Sequence, residues 1–193
     1  MDRNREKRLI EQAKSDPEAF GVIFDAYYPD IFGYILRRTA NVEVARDIAS
    51  ETFFKAFRNL SKFRWRGISI SSWLYRIASN EIISFFRHKK YEPESLDELH
   101  KAAGFEYTDS QGIIGEIQSA KLELERYKDY LKIQASLRKL PAKYQEVIAL
   151  KYFEEKKIRE IGVILNKKEG TVKSLLSRGL EQLKNLSSEK EKM

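Results

Sequence analysis

Apolar residues recur along this chain at the i, i+3, i+4 spacing of helices, and no run shows the period-two alternation of a half-buried strand. The first strong run places Phe20, Ile23, Phe24 and Tyr27 on one face. Ahead of it, Ser15-Asp16-Pro17-Glu18 offers an N-cap serine, an early proline and a glutamate three residues on, which marks a helix start. Pro29 is expected to end this run, because a proline inside a helix removes a hydrogen bond and crowds the preceding turn. A second, short helix is then expected over 30–39. Asn41 can cap a third, reaching about residue 60, with a buried stripe of Ala45, Ile48, Ala49, Thr52, Phe53, Ala56, Phe57 and Leu60.

A loop containing Gly67 follows over 61–71. Ser71 or Ser72 can cap the next helix, which runs to about Lys90 and turns Ile77, Ala78, Ile82 and Phe85 inward. Residues 91–115 hold Pro93, Gly104, Gly112 and Gly115 among acidic and polar residues. A loop that long inside one compact domain is unusual, so a domain boundary belongs there. Helical spacing resumes from about Ile117 to Leu140. Pro141 suits the first position of another helix, through Phe153. Two more helices, near 157–165 and 170–186, complete the pattern, and the last seven residues read as frayed. The chain is expected to be all-α: two small helical domains joined by a flexible linker, the C-terminal one a helix-turn-helix. The domains span 15–90 and 131–186, the linker 91–130, and each domain has enough apolar residues for its own core.

Charge changes this picture. The formal net charge is +7, but residues 1–54 carry −2, 55–91 carry +8, 92–130 carry −6 and 131–193 carry +7. Two basic blocks separated by an acidic one suggest two polyanion-binding modules on a linker that avoids DNA. Aromatic residues interleave the first basic block (Phe57, Phe63, Trp65, Trp73, Tyr75, Phe85 and Phe86), which favours nucleic acid over a merely solvated surface.

The chain contains no cysteine, so it holds neither a disulfide framework nor a thiolate zinc site. Its N-terminus, MDRNREKRLIEQ, lacks the apolar stretch of a secretory signal, and Ile31–Leu36 is too short to span a bilayer. A cytoplasmic, soluble protein without membrane insertion is expected. There is no phosphate loop and no HExxH, and His88 and His100 are the only histidines. Enzymatic chemistry therefore lacks parts, and no cofactor, metal or small-molecule substrate is expected.

Residues 158–180, IREIGVILNKKEGTVKSLLSRGL, carry the helix-turn-helix pattern. Gly162 supplies a small packing site, Asn166 a turn residue that tolerates positive φ, and Val172, Leu175 and Leu176 the anchors. The apolar stripe continues through Gly179, Leu180 and Leu183. On the opposite face, Thr171, Lys173, Ser174, Ser177, Arg178 and Gln182 present donors to a major groove. Upstream, the 42–60 helix exposes Asp47, Ser50, Glu51, Phe54 and Arg58. Acidic residues beside an exposed phenylalanine suit a protein partner better than DNA. On the next helix Arg76, Asn80, Ser84 and Arg87 share a stripe with Trp73 at its edge, and loop 61–70 adds Phe63, Arg64, Trp65 and Arg66. Arginine and asparagine beside aromatics match the needs of unstacked single-stranded DNA, although Trp73 and Tyr75 taken singly read as core residues.

The order of these segments is informative. DIASETFFKAFRNL, FRWRGISISSWLYRIASNEIISFFRHKK and LRKLPAKYQEVIALKYFEEKKIREIGVILNKKEGTVKSLLSRGLEQL together resemble bacterial sigma-70-family sigma factors. The short chain is similar to the extracytoplasmic-function (group 4) type, which keeps domains two and four. The resemblance covers about 15–90 and 131–186. It implies that Asp47, Ser50, Glu51 and Phe54 dock on core RNA polymerase. It further implies that Phe63, Arg64, Trp65, Arg66, Trp73, Arg76, Asn80 and Arg87 take the −10 element of promoter DNA, and that Thr171, Lys173, Ser174, Ser177 and Arg178 take the −35 element. Ser50 stands where the family commonly has glutamine, Gly162 where it has alanine, and Leu175 and Leu180 where many members have arginine. The implied regulator is an anti-sigma factor that clamps the two domains together and hides both surfaces. The alternative reading is a helix-turn-helix regulator that is not a sigma factor. A response-type regulator would need a phosphoacceptor domain, and residues 1–90 show no strand–helix alternation.

Overall fold

A computed structural model describes residues 3–64, 69–89, 136–137 and 139–190, and among these all regular structure is helical. Helix α1 (Arg3–Ala13) lies where the sequence pattern gave no element. Its buried Ile10 and Ala13 pack it onto α2. Helix α2 runs unbroken over Pro17–Thr39 and replaces the two helices expected on either side of Pro29. An interior proline costs a helix about 3 kcal/mol. Ile31, Tyr34 and Ile35 beyond it are fully buried, and each such burial contributes about 1.5–3 kcal/mol, so packing outweighs the break. The N-cap is Asp16 rather than Ser15: its carboxylate accepts from the Glu18 amide at 2.9 Å, with Pro17 opening the helix.

Helix α3 (Val42–Asn59) is capped by Asn41, which accepts from the Val44 amide at 3.0 Å. Its stripe is buried as expected except at Phe57, which is 43% exposed and rests its ring 5.1 Å from Phe20 at the rim of the core. A short 3-10 turn (Leu60–Lys62) follows. Helix α4 (Ile70–Lys89) is capped by Ser69, whose hydroxyl accepts from the Ser72 amide at 3.2 Å, and not by Ser71 or Ser72. A salt bridge of 2.7 Å joins Lys55 of α3 to Glu81 of α4, and the Tyr34 and Ser79 hydroxyls meet at 2.8 Å between α2 and α4.

In the C-terminal half, α5 (Ala142–Ile148) passes into a π-helical turn (Ala149–Phe153), with Pro141 just ahead of its first residue. Helix α6 (Ile158–Leu165) and helix α7 (Glu169–Lys190) form the helix-turn-helix, and α7 continues to Lys190, into the last seven residues, which were expected to fray. The expected helix over 117–140 and the linker fall almost wholly outside the described residues.

The two halves do not keep separate cores. Helix α6 packs on α4, the π turn packs on α2, and the buried residues of both halves form one contiguous cluster. Polar groups tie the seam. The Glu154 carboxylate accepts from Arg37 of α2 and from the Tyr75 hydroxyl of α4. Lys156 reaches the Ser71 hydroxyl at 3.4 Å and lies 4.5 Å from the centre of the Tyr75 ring. Burial, reinforced by the hydrogen bond to Glu154, pushes the Tyr75 hydroxyl pKa well above that of a free tyrosine.

Candidate nucleic-acid and polymerase interfaces

Three exposed faces carry the residues singled out in the sequence. The first is on α3, where Asp47, Ser50, Glu51 and Phe54 all face solvent. Phe54 is 53% exposed, with the Arg58 guanidinium 5.5 Å from its ring centre. Glu51 pairs with Lys55 at 3.1 Å, and Lys55 also holds Glu81. The hydrogen bond to Glu81, with Glu51 adding to it, raises the Lys55 pKa, so the ammonium remains charged. The opposite side of α3 is sealed by Phe53 against Phe24 and Tyr28, which fixes which side stays open.

The second face belongs to α4. Arg76, Asn80 and Arg87 are exposed, Ser84 is half-buried, and Ile77 and Phe85 are half-buried rather than fully inward. Trp73 is half-buried at the edge of this stripe. Phe63 was expected on the exposed surface but is only 7% exposed, its ring centre 4.9 Å from that of Trp73. It supports Trp73 from below instead of offering a free stacking surface. Tyr75 is core, as its spacing suggested. Arg64 is exposed and donates to the Ser61 carbonyl at 2.8 Å. Trp65 and Arg66 lie outside the described residues.

The third face is on α7. Here the turn chemistry read from sequence has a direct geometric cause. A Cβ on Gly162 would sit 2.8 Å from the Lys167 carbonyl oxygen, a contact that real side chains do not make. Asn166 adopts φ 53°, ψ 47°, the left-handed conformation that asparagine tolerates. The Lys167 amide then returns to the Gly162 carbonyl at 2.8 Å. Glu160 accepts from the Lys157 amide at 2.8 Å and satisfies the open start of α6. Val172 and Leu176 are buried and Leu175 is half-buried. Gly179 lets α7 approach α5, with a Cβ there meeting Tyr144 and Ile148 at 3.1 Å. Leu180 does not continue the stripe: it is 38% exposed. Thr171, Lys173, Ser174, Ser177, Arg178 and Gln182 all face solvent on the other side.

Sequence reasoning missed two groups around these faces. One is the seam of Arg37, Tyr75, Glu154 and Lys156. The other is Glu6 of α1, buried against Tyr27 and the start of α4. The spacing of Glu6, Ile10 and Ala13 would have signalled α1 as amphipathic. Nothing in the sequence links Glu154 to residues more than seventy positions earlier. Among the described residues no helix is long and apolar enough to cross a membrane, and no group of histidine, aspartate and glutamate side chains could hold a metal ion.

Comparisons with known proteins agree with this arrangement. The family profile described as Sigma-70 region 2 matches residues 23–91, which include α3 and α4, and Sigma-70, region 4 matches 130–183, which include the helix-turn-helix. The ECF RNA polymerase sigma factor SigW of Bacillus subtilis strain 168 is 37% identical over 187 residues, covering 95% of this chain and 97% of its own. The RNA polymerase sigma factor YlaC of the same organism is 32% identical over 171 residues, covering 88% and 92%. Among solved structures, CnrH in complex with the cytosolic domain of CnrY aligns with a TM-score of 0.66 at 20% identity, covering 95% of this chain and 97% of that one. RpoE in complex with the anti-sigma factor NepR from Bartonella quintana aligns at 0.60 and 19%, covering 88% and 96%. These two likenesses support the fold. The chain belongs to the extracytoplasmic-function group of the sigma-70 family, the RNA polymerase sigma factors that direct transcription initiation.

Proposed function

We propose that the three exposed faces divide the work of promoter recognition. The α3 face of Asp47, Ser50, Glu51 and Phe54 docks on core RNA polymerase. The α4 face of Trp73, Arg76, Asn80 and Arg87, with Arg64, Trp65 and Arg66 before it and Phe63 as the support under Trp73, takes unstacked bases of the −10 element. The α7 face of Thr171, Lys173, Ser174, Ser177 and Arg178 enters the major groove at the −35 element. The domains act as units over 15–90 and 131–186, joined by 91–130. One observation carries this reading: among the described residues each face stays open to solvent while the opposite side of the same helix is packed, so packing of the core does not account for its polar side chains.

The chemistry of the faces fits these roles. A base stacked on an aromatic surface contributes about 1–3 kcal/mol, enough to bias a locally opened duplex without a nucleotide-driven motor. The protein works as a cytoplasmic binding factor rather than an enzyme, and strand opening draws on binding energy shared with the polymerase. An anti-sigma factor is its candidate regulator. The test is reconstitution with purified core polymerase and sequencing of the transcripts made. Glu51→Lys combined with Phe54→Ala should abolish co-purification with core while leaving the helical circular dichroism intact. Normal core binding by that double variant would remove the α3 face from the interface.

A further inference from the structure

Helix α1 precedes every segment assigned a role above and lies ahead of the region 2 match. Its Glu6 is 5% exposed, which is unusual for a carboxylate unless something holds it. A single oxygen, Oε1, accepts from the Tyr27 hydroxyl of α2 at 3.0 Å and from the Ile70 amide at 3.1 Å. Ile70 is the first residue of α4, and the first amides of a helix have no partner within it. Glu6 thus caps α4 from 64 residues upstream, placing a negative side chain at the positive end of its dipole. Burial, with the Glu6 charge adding to it, raises the Tyr27 hydroxyl pKa, so that hydroxyl stays protonated and able to donate.

A second observation places α1 beside the same region. Glu11 is held ionised chiefly by its hydrogen bond to Lys14, and Arg64 contributes a weaker attraction. Helix α1 therefore contacts the first residue of α4 through Glu6, and its Glu11 lies within electrostatic range of Arg64. Trp73 is one turn from Ile70, and Arg76 and Asn80 follow on the same helix. A shift of the first turn would carry Trp73 off Phe63 and re-aim the stripe behind it.

We propose that Glu6 is a positioning residue for promoter opening: it fixes the start of α4, and through it the bearing of Trp73, Arg76 and Asn80 toward the −10 element. This rests on the assignment of the α4 face made above. The test uses the full chain with core polymerase on a promoter it transcribes, with permanganate reactivity of −10 thymines as the readout. Core affinity and affinity for a −35 duplex are measured alongside. Losing one hydrogen bond to a charged group should lower opening about tenfold in Glu6→Ala, with the other two affinities unchanged. Glu6→Gln keeps an acceptor for Ile70 and should restore opening.

Ile10→Ala, on the same helix and buried but with no hydrogen bond to α4 to lose, is the control for loss of stability alone. Equal loss of opening in Ile10→Ala at matched stability, or normal opening in Glu6→Ala, overturns the proposal. Should Glu6→Ala not fold, Glu6→Asp, one methylene too short to hold both donors, carries the test with the same expected loss. Asn80→Ala separates the two claims. If it opens the promoter normally, the α4 assignment fails; if it loses opening while Glu6→Ala does not, Glu6 alone is wrong.

Discussion

Removing the Glu154 carboxylate should release the two halves of the chain from one another. The Glu154 side chain is 5% exposed and Arg37 27%, so this is a largely buried pair with a buried tyrosine hydroxyl on its other oxygen. Hydrogen bonds to charged groups contribute about 1.5–3 kcal/mol each, and the partial exposure of Arg37 argues for the lower end. Glu154→Ala therefore costs the closed arrangement about 3 kcal/mol, roughly a hundredfold in the opening equilibrium. The absence of native cysteine permits a clean assay. Ser79 is 2% exposed, its hydroxyl 2.8 Å from that of Tyr34, and it lies near enough to Glu146 of α5, across the seam, to oppose the rise in that carboxyl's pKa. A Ser79→Cys thiol should react only when the halves part, so its labelling rate reads the open fraction even when that fraction is small. Adding Glu154→Ala should speed labelling about a hundredfold, and Tyr75→Phe about tenfold. Labelling unchanged by Glu154→Ala would refute the view that this cluster holds the seam.

Two further outcomes follow from the structure. Burial raises the Glu146 pKa above 4.5, with Arg38 and Ser79 opposing, so between 4.5 and the raised value the folded chain keeps a proton that the unfolded chain has released. Stability must then fall as pH rises through that window; Glu146→Gln should flatten this slope and leave the protein more stable above it, as urea unfolding on both sides would register. On α7, Lys173→Ala and Arg178→Ala should each lower the salt slope of −35 binding by about 1 if the side chain contacts phosphate, or relax base choice at about 1–3 kcal/mol if it reads a base edge. An unchanged affinity and preference in both variants would exclude α7 as the reading helix.

What was legible in the sequence was local. The turn of the helix-turn-helix could be read because Gly162 and Asn166 each satisfy a backbone demand set within five residues. The Asn41 cap and the α3 stripe were legible for the same reason. Pro29 misled because its cost is local while the burial that outweighs it is tertiary. Phe63 and Phe57 exchanged places: composition made Phe63 look spare and periodicity made Phe57 look buried, but Trp73 covers one and the rim of the core exposes the other. The contacts of Glu6 with Ile70 and of Glu154 with Tyr75 and Arg37 span 64 to 117 positions, beyond the reach of any periodicity. The exposed faces were found because an amphipathic helix reveals its polar side, though that side does not name its partner.

The packed seam also changes how access to promoter DNA has to be controlled. Sequence reasoning expected domains clamped together to have hidden surfaces, yet here the halves are packed while the α3, α4 and α7 faces all remain exposed. The obstacle is span. Helix α6 packs on both α4 and α7, and packed helices lie about 8–10 Å apart, so the axes of α4 and α7 come within roughly 20 Å. The −10 and −35 elements are centred roughly 25 base pairs apart, about 85 Å at 3.4 Å per pair. Helix α7, 22 residues long, adds only about 33 Å of reach. On the proposed assignment, a closed chain can therefore offer either face to DNA but cannot seat both on one promoter. If α4 takes the −10 element and α7 the −35 element as proposed, two-element recognition requires the Arg37–Glu154–Tyr75 cluster to break, and the free energy that breaks it must come from core polymerase or DNA holding the open form more tightly than the closed one.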